Sequence, residues 1–338
     1  MKLTINEIAR LANVSKSTVS KVLNNYPGIN KNTREKVLKI VKETQYEPNI
    51  IARALSSKKT GNIGLLIPHS PEHTISGAYW TTFISRITIE LSAHDYNLLL
   101  LLPHEEGKLE DIFRLVLKRG IVDGLIIGSE CLDRHWLSEL KNNNIPFVML
   151  GKNPDFTHYS VDIDNEDAAC KATEHLIEQG YRRIALIAGP INFYYNSERA
   201  KGYRKAITTH SLEYSRELYL PYDNYQRLRE EVESIITGAA PADALLVTAG
   251  GDFMLEVLDS IKKTGRKPPQ TGFVSFDDYR YLDHINPPVS AVSQPMVEMS
   301  KASVDILVKL LKKQEPEEKE VFFKAKLNIR KSSLKNRN

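Results

Sequence analysis

Along the opening stretch of the chain, apolar residues recur every three or four positions; from residue 62 onward they gather into short unbroken runs between amphipathic stretches. The first pattern is helical. Thr4 followed by Glu7 is a capping box, so a helix starts at Ile5 and turns Ile5, Ile8, Ala9 and Ala12 to one face. Asn13 tolerates the left-handed backbone that ends such a helix. Ser15 caps a second helix with Val19, Val22 and Leu23 inside and Lys16, Ser17, Ser20, Lys21 and Asn24 outside. After a loop at 25–28, Asn30 caps a third helix whose inner face is Val37, Leu38, Ile40 and Val41. Pro48 stops the helical pattern, Asn49 can cap a short segment at 50–57, and 58–61 is a flexible exit.

The second pattern alternates strands with helices. It predicts strands at 63–67, 97–102, 123–127 and 145–150, with helices at 79–94, 109–119 and 133–143. A second round has helices at 166–179, 197–210 and 225–237 and strands at 184–188, 244–247 and 272–276. The chain then returns through a strand at 289–294, a helix at 295–313 and a last strand at 320–329. Such alternation predicts parallel sheets with crossover helices.

Charge separates the two patterns. Residues 1–60 hold 12 Lys plus Arg against 4 Glu and no Asp, a net +8, whereas the whole chain is only +4, leaving −4 for the rest. A basic head on a mildly acidic body points to a polyanion partner for the head alone. Cys131 and Cys170 lie far apart without ligand-like spacing, which fits free thiols in a reducing cytosol. No signal-peptide pattern is seen, and the apolar runs, such as 98–102, are too short to span a bilayer. The expectation is a cytoplasmic protein with no membrane partner, metal or cofactor.

A helix that offers short polar and cationic groups from its first turns suits the DNA major groove. The plainer alternative is a helical cap with a solvated face. The tight turn, the capped second helix and the basic face occur together, which favours DNA. Lys16, Ser17 and Lys21 are the candidates for base edges; Thr4, Thr18, Asn24 and Thr33 are the candidates for phosphates.

The run from Thr4 to Pro68 resembles the lactose-repressor (LacI/GalR) family of bacterial transcription regulators. The matching motifs are Ile-Ala-Arg-Leu-Ala at 8–12, Val-Ser at 14–15, Thr-Val-Ser-Lys-Val-Leu-Asn at 18–24 and Thr-Arg-Glu-Lys-Val at 33–37. Tyr-Glu-Pro-Asn at 46–49, Ala-Arg-Ala-Leu at 52–55 and Ile-Gly-Leu-Leu-Ile-Pro at 63–68 follow in family order. The resemblance implies a small all-α helix-turn-helix head and a two-lobed α/β body like the periplasmic sugar-binding proteins, with two parallel sheets and flanking helices. The expected domains are 1–47 for the head, 48–60 for a hinge helix and linker, and 61–338 for the effector-binding and dimerisation body. Within the body, the first lobe would take about 61–162 and 293–319, the second about 163–290 and 320–338.

The resemblance also implies that 50–57 is a hinge helix in the minor groove, with Arg53 facing DNA and Leu55 wedging a base step. The alternative is a linker turn with Leu55 packed on the next domain. A homodimer on a near-palindromic operator follows, since the lactose repressor's own tetramer-forming heptads are absent. Lys21 stands where the family usually has arginine, and lacks the planar fork that discriminates guanine best.

Ligands of open parallel sheets lie beyond the carboxyl ends of the strands. Among the residues there, Tyr79 and Trp80 suit the apolar face of a sugar ring, and Arg199 and Asp277 suit its hydroxyls. The resemblance supports Arg199, within Ser-Glu-Arg-Ala-Lys-Gly-Tyr at 197–203, and Asp277, within Val-Ser-Phe-Asp-Asp at 274–278. The aligned aromatic pair suggests Tyr79 and Trp80. Plainer alternatives are an Arg199–Glu198 pair and a core tryptophan. Where the family has an Asn-Asp pair, this chain reads Thr248-Ala-Gly-Gly-Asp252. Either the backbone at Gly250 and Gly251 approaches the ligand, or Asp252 substitutes. The expected effector is a sugar or sugar phosphate, of either sign of regulation.

Other classes fit less well. Asp277 and Asp278 are adjacent and point oppositely, so they cannot flank one glycosidic bond. Pro71 breaks any helix that would align His69 with His73 on a metal. The glycine stretches lack phosphate-loop and dinucleotide spacing. A transport binding protein needs an export signal and no basic head. A DNA-binding regulator that answers to a protein corepressor stays open.

Overall fold

The computed structural model describes residues 3–23, 26–46, 59–67, 78–104, 108–128, 134–222 and 224–335. The hinge expectation, with Arg53 and Leu55, lies outside them, as do Asn24, Cys131 and the His69–His73 pair. The chain divides into two compact units, Met1–Thr60 and Gly61–Asn338.

The head consists of α1 (Ile5–Ala12), α2 (Lys16–Leu23) and α3 (Lys31–Glu43). The capping box forms: the Thr4 backbone N–H donates to Glu7 Oε2 at 2.6 Å, which with the Thr4 hydroxyl holds the Glu7 carboxyl below its usual range. Asn13 is left-handed at φ 51°, turning the chain sharply into α2, where Ser15 Oγ accepts the Thr18 N–H at 3.1 Å. The core is small: Ile8, Ala9, Ala12, Val19, Val22, Val37 and Tyr46. Leu38, expected inside, is 45 % exposed, because one narrow seam of α3 through Val37 meets the other two helices.

The body has two six-stranded sheets. The first comprises β1 (Asn62–Leu66), β2 (Asn97–Leu101), β3 (Gly124–Gly128), β4 (Phe147–Leu150), β5 (Ser160–Ile163) and β11 (Glu320–Phe323). Its order is β11-β5-β4-β3-β1-β2, with every pair parallel. The second comprises β6 (Ile184–Ala188), β7 (Arg216–Tyr219), β8 (Ala244–Val247), β9 (Gly272–Phe276), β10 (Ser290–Ser293) and β12 (Lys326–Asn328), ordered β12-β10-β9-β8-β6-β7. Here β12 runs antiparallel to β10, so the second sheet is not wholly parallel as expected.

Helices cover both faces of each sheet. On the first, α4 (Ala78–Ser92) and α11 (Met296–Leu311) pack over Ile63, Leu65, Ile126, Val148 and Val161. The alternate residues Leu66, Leu125, Ile127, Phe147 and Met149 face the side chains of α5 (Glu110–Arg119) and α6 (Arg134–Asn142). On the second, α7 (Asn165–Glu178) and α8 (Tyr194–Thr209) share a core with Ile184, Leu186 and Leu246, while α9 (Tyr225–Thr237) and α10 (Gly251–Lys263) cover Ile187, Leu245 and Val247. No helix among the described residues is long and apolar enough to cross a membrane.

Four features depart from the sequence reading. β5, β7 and α10 are additional elements, and the strand expected at 320–329 is two strands in different sheets. Residues 320–323 therefore belong to the first lobe's sheet, not the second's, because Val321 to Phe323 pair with Val161 to Ile163.

One half-buried group, His158, makes stability depend on pH. Burial pushes the His158 imidazole, stacked on Phe147 at 3.9 Å, down to about 4. The unfolded chain takes up that proton near 6.5, so the stability is present above pH about 6.5 and is lost as pH falls toward 4. In His158→Gln the fall in melting temperature between pH 7 and pH 5 should be shallower than in the wild type. An equal slope would remove His158 from the acid limb.

Candidate functional site

In the head, Lys16, Ser17 and Lys21 all lie exposed along α2. Lys21 Nζ stands 6.0 Å from the ring centre of Tyr26, which is 58 % exposed and extends the same polar and aromatic surface. Tyr26 carries no signal beyond that of a loop residue in the sequence; the Arg34 guanidinium, donating to its carbonyl at 2.6 Å, fixes that loop to α3. Thr4 and Thr18 have hydroxyls already committed, to Glu7 at 2.9 Å and to Ser15 Oγ at 2.8 Å. A phosphate would have to share them. Thr33 is half-buried on the first turn of α3.

In the body, strand order in the second sheet reverses around β6 and β8, and the loops after these strands open the crevice where ligands of such sheets bind. Arg199 reaches this point from α8. It is 6 % exposed, and its Nε donates to Asn165 Oδ1 at 2.8 Å while Nη1 donates to the Thr248 carbonyl at 2.6 Å. Its carbon Cζ lies 4.1 Å from the centre of the Phe276 ring and 5.0 Å from that of Tyr195. Rings and hydrogen bonds together leave the guanidinium little freedom. Glu198 is not its partner; that carboxylate pairs with Lys201.

Asp277 follows Phe276 in the left-handed region at φ 65° and is 8 % exposed. Gln294 Nε2 donates to its Oδ1 at 2.6 Å. Gly250 explains the departure from the expected Asn-Asp pair: a Cβ there would stand 2.9 Å from both Cβ and Oδ2 of Asp277. The glycine makes room for the aspartate. Asp278 turns away, to Arg330 Nη1 at 2.9 Å. Asp252 is exposed on the first turn of α10. Burial, reinforced by Asp252 and Asp277, pushes the Tyr281 hydroxyl up to about 12.

Tyr79 packs against the cores of both lobes; burial, reinforced by Asp277, Tyr281 and Tyr79, raises the Tyr279 hydroxyl. Trp80 is only 7 % exposed, edge-on to Tyr79 at 5.2 Å, and belongs to the first lobe's core. A further aromatic group is formed by Tyr195 and Tyr222, whose hydroxyls meet at 2.7 Å, with Phe193 stacked on both. Asn196 Nδ2 donates to the Tyr222 hydroxyl at 3.0 Å, while Asn196 Oδ1 and Thr248 Oγ1 are buried with no hydrogen-bond partner among the described residues.

The structure thus brings Arg199 and Asp277 to neighbouring positions around Phe276 and Gly250, and adds Asp162, Asn165, Thr248, Tyr195, Tyr222 and Gln294, which sequence reading did not single out as ligand residues. A fixed cation, a carboxylate acceptor and aromatic faces are what a polyhydroxylated ring requires. Among the described residues no group of three His, Cys, Asp or Glu is placed to hold a metal ion.

Comparison with known proteins gives the same division. A family model described as periplasmic binding proteins and sugar binding domain of LacI family matches residues 60–309, and one described as bacterial regulatory proteins, lacI family, matches residues 4–49. Catabolite control protein A of Priestia megaterium is 30% identical over 344 residues, covering 98% of this chain and 100% of that one. The HTH-type transcriptional regulator CelR of Thermobifida fusca is 29% identical over 335 residues, covering 97% and 98%. Among solved structures, a transcriptional regulator CelR–cellobiose complex superposes with a TM-score of 0.74 at 26% identity, covering 98% of this chain and 100% of that one. A lac repressor dimer bound to operator and the anti-inducer ONPF shares the fold, with a TM-score of 0.81 at 24% identity over 99% and 100% of the two chains.

Proposed function

The chain belongs to the lacI family of bacterial regulatory proteins, and on that premise we propose that it is a homodimeric repressor whose operator affinity is set by a small carbohydrate bound between the lobes. The head reads the major groove through Lys16, Ser17 and Lys21, and two symmetry-related heads require a near-palindromic site. The observation that carries the effector assignment is Arg199, held by Asn165 and the Thr248 carbonyl beside Asp277. The cleft has no catalytic role in this reading: Asp277 and Asp278 diverge to Gln294 and Arg330. A typical coupling of about 1–3 kcal/mol between effector and operator changes affinity roughly 5–150-fold.

Calorimetric titration against mono- and disaccharides and their phosphates, followed by operator binding with each hit, tests this. A sugar that binds and alters operator affinity is the expected result; binding by none of them would overturn the carbohydrate assignment. In the head, Lys21→Ala should weaken operator binding by about 1–3 kcal/mol. Lys21→Arg should sharpen discrimination at one base pair, because the guanidinium fork grips guanine with two bonds. Anisotropy titrations on an operator and its single-base variants, at one fixed salt concentration, check both.

A further inference from the structure

We propose that Asp162 is the positioning residue for Arg199, so that the protonation state of the strand joining the lobes governs how firmly the guanidinium is held in the cleft. The proposal rests on the reading of Arg199 as an effector contact, and adds a residue and a pH dependence to it.

The geometry starts at the hand-over between lobes. β5 pairs with β4 and β11 in the first sheet, and two residues after its end α7 begins in the second lobe at Asn165. Asp162 lies on β5 and is 7 % exposed. Its Oδ2 accepts the Lys152 N–H at 3.0 Å, and its Oδ1 accepts the Ile163 N–H at 2.7 Å and the Asn165 Nδ2–H at 3.1 Å. Three donors converge on one carboxylate.

Those bonds decide which way the Asn165 amide faces. Its Nδ2 is directed at acceptors, Asp162 Oδ1 and the Ile163 carbonyl, the latter at 3.3 Å. Its Oδ1 is therefore left to accept from Arg199 Nε. Carboxylate, amide and guanidinium form one relay of acceptor and donor ends. A protonated Asp162 places an O–H where an acceptor is needed and weakens the bond that sets the amide. Asn165 can then turn its NH2 toward the Arg199 Nε–H, two donors facing each other, and the guanidinium loses one of its two hydrogen bonds, keeping only that to the Thr248 carbonyl.

The surrounding charges leave Asp162 free to titrate in a useful range. Arg199 approaches from α8 and favours the carboxylate; Tyr194, also on α8, is raised by burial, Glu198, Asp162 and Glu320. The Lys152 ammonium is occupied by Glu320 of β11 at 3.0 Å. Burial is the largest influence on Asp162 and outweighs its hydrogen bonds and Arg199, pushing the carboxyl up to about 6. Effector binding should accordingly weaken as pH falls through about 6.

The test follows the Arg199 Nε–H signal by nitrogen-15 NMR in the full-length chain without any sugar, from pH 5 to 7.5, assigned by its loss in Arg199→Lys. The wild-type signal should shift with a midpoint near pH 6. That titration should vanish in Asp162→Asn and persist in Asp252→Asn. Asn165→Ser, which keeps the carboxylate and breaks the relay, should also uncouple the signal from pH and stands in if the Asp162 variant does not fold. A wild-type signal that ignores pH, or one that titrates equally in Asp162→Asn, overturns the proposal. With no sugar in the sample, failure of the carbohydrate reading leaves this readout unaffected.

Discussion

Arg199→Ala should abolish the response of operator binding to effector. The side chain supplies two buried hydrogen bonds to its own protein and carries its charge between the Phe276 and Tyr195 rings. Hydrogen bonds to a charged group are worth about 1.5–3 kcal/mol each, so losing one from a bound sugar lowers its affinity roughly 10–150-fold, and losing two lowers it more than a hundredfold. Arg199→Lys should fall between wild type and alanine, because an ammonium keeps the charge but cannot donate in two fixed directions while lying flat on Phe276. Operator titrations with and without saturating sugar measure the response, and operator binding without sugar, which rests on the head, serves as the internal control. A normal response in Arg199→Ala would place the effector elsewhere.

Gly202→Ala should give the largest loss of stability of any single methyl group in the second lobe. A Cβ at Gly202 would lie 2.1 Å from the Glu166 carbonyl oxygen and 2.9 Å from the Cys170 nitrogen. These are backbone atoms of α7, which cannot swing aside as a flexible side chain would. Separating α7 from α8 disturbs the core that Ala169, Ala172, Ala200, Tyr203 and Ala206 build between them. Overpacking typically costs about 1–3 kcal/mol, and a clash with backbone that cannot move aside falls at the upper end, about 3 kcal/mol. For a chain of 338 residues, at about 2.1 cal/mol/K of unfolding entropy per residue, that corresponds to a melting temperature lower by roughly 4–5 °C. Lys201→Ala, next in sequence but with a half-exposed side chain, should change it little. Since Arg199 lies one turn before Gly202, weaker effector binding should accompany the loss.

The elements that local chemistry decides were legible in the sequence. The Thr4–Glu7 box, the left-handed Asn13 and the Asn30 cap set the head's boundaries from residues a few positions apart. Elements decided at a distance were not. Ser160-Val-Asp-Ile163 reads as half polar, yet is buried because Lys152, Asn165 and the β11 backbone satisfy its polar groups. Gly250 and Gly251 read as a loop and hid α10, whereas Gly250 is small because Asp277 fills the space beside it. The break between β11 and β12, at Lys324 and Ala325, has no Gly or Pro to announce it. It is set by β5 and β10, strands in two different sheets. Within the site, Arg199 and Asp277 stood out in their motifs. Their partners Asn165, Thr248 and Gln294 did not, since 34, 49 and 17 residues separate them from the groups they hold.

The pairing of β11 with β5 bears on how the chain matures during synthesis. The first sheet has its leading five strands once Ile163 has emerged, but its sixth strand and the covering helix α11 arrive only with residues 296–323. Until then the part of the apolar face of β3, β4 and β5 that α11 covers stands bare and the edge of β5 open, while the second sheet is already being assembled from the intervening residues. An uncovered edge and a bare apolar face are the features that recruit chaperones or seed aggregation in a nascent polypeptide. The lobe translated first is thus the one completed late, and contacts spanning more than 150 residues make its closure slow compared with that of the three-helix head.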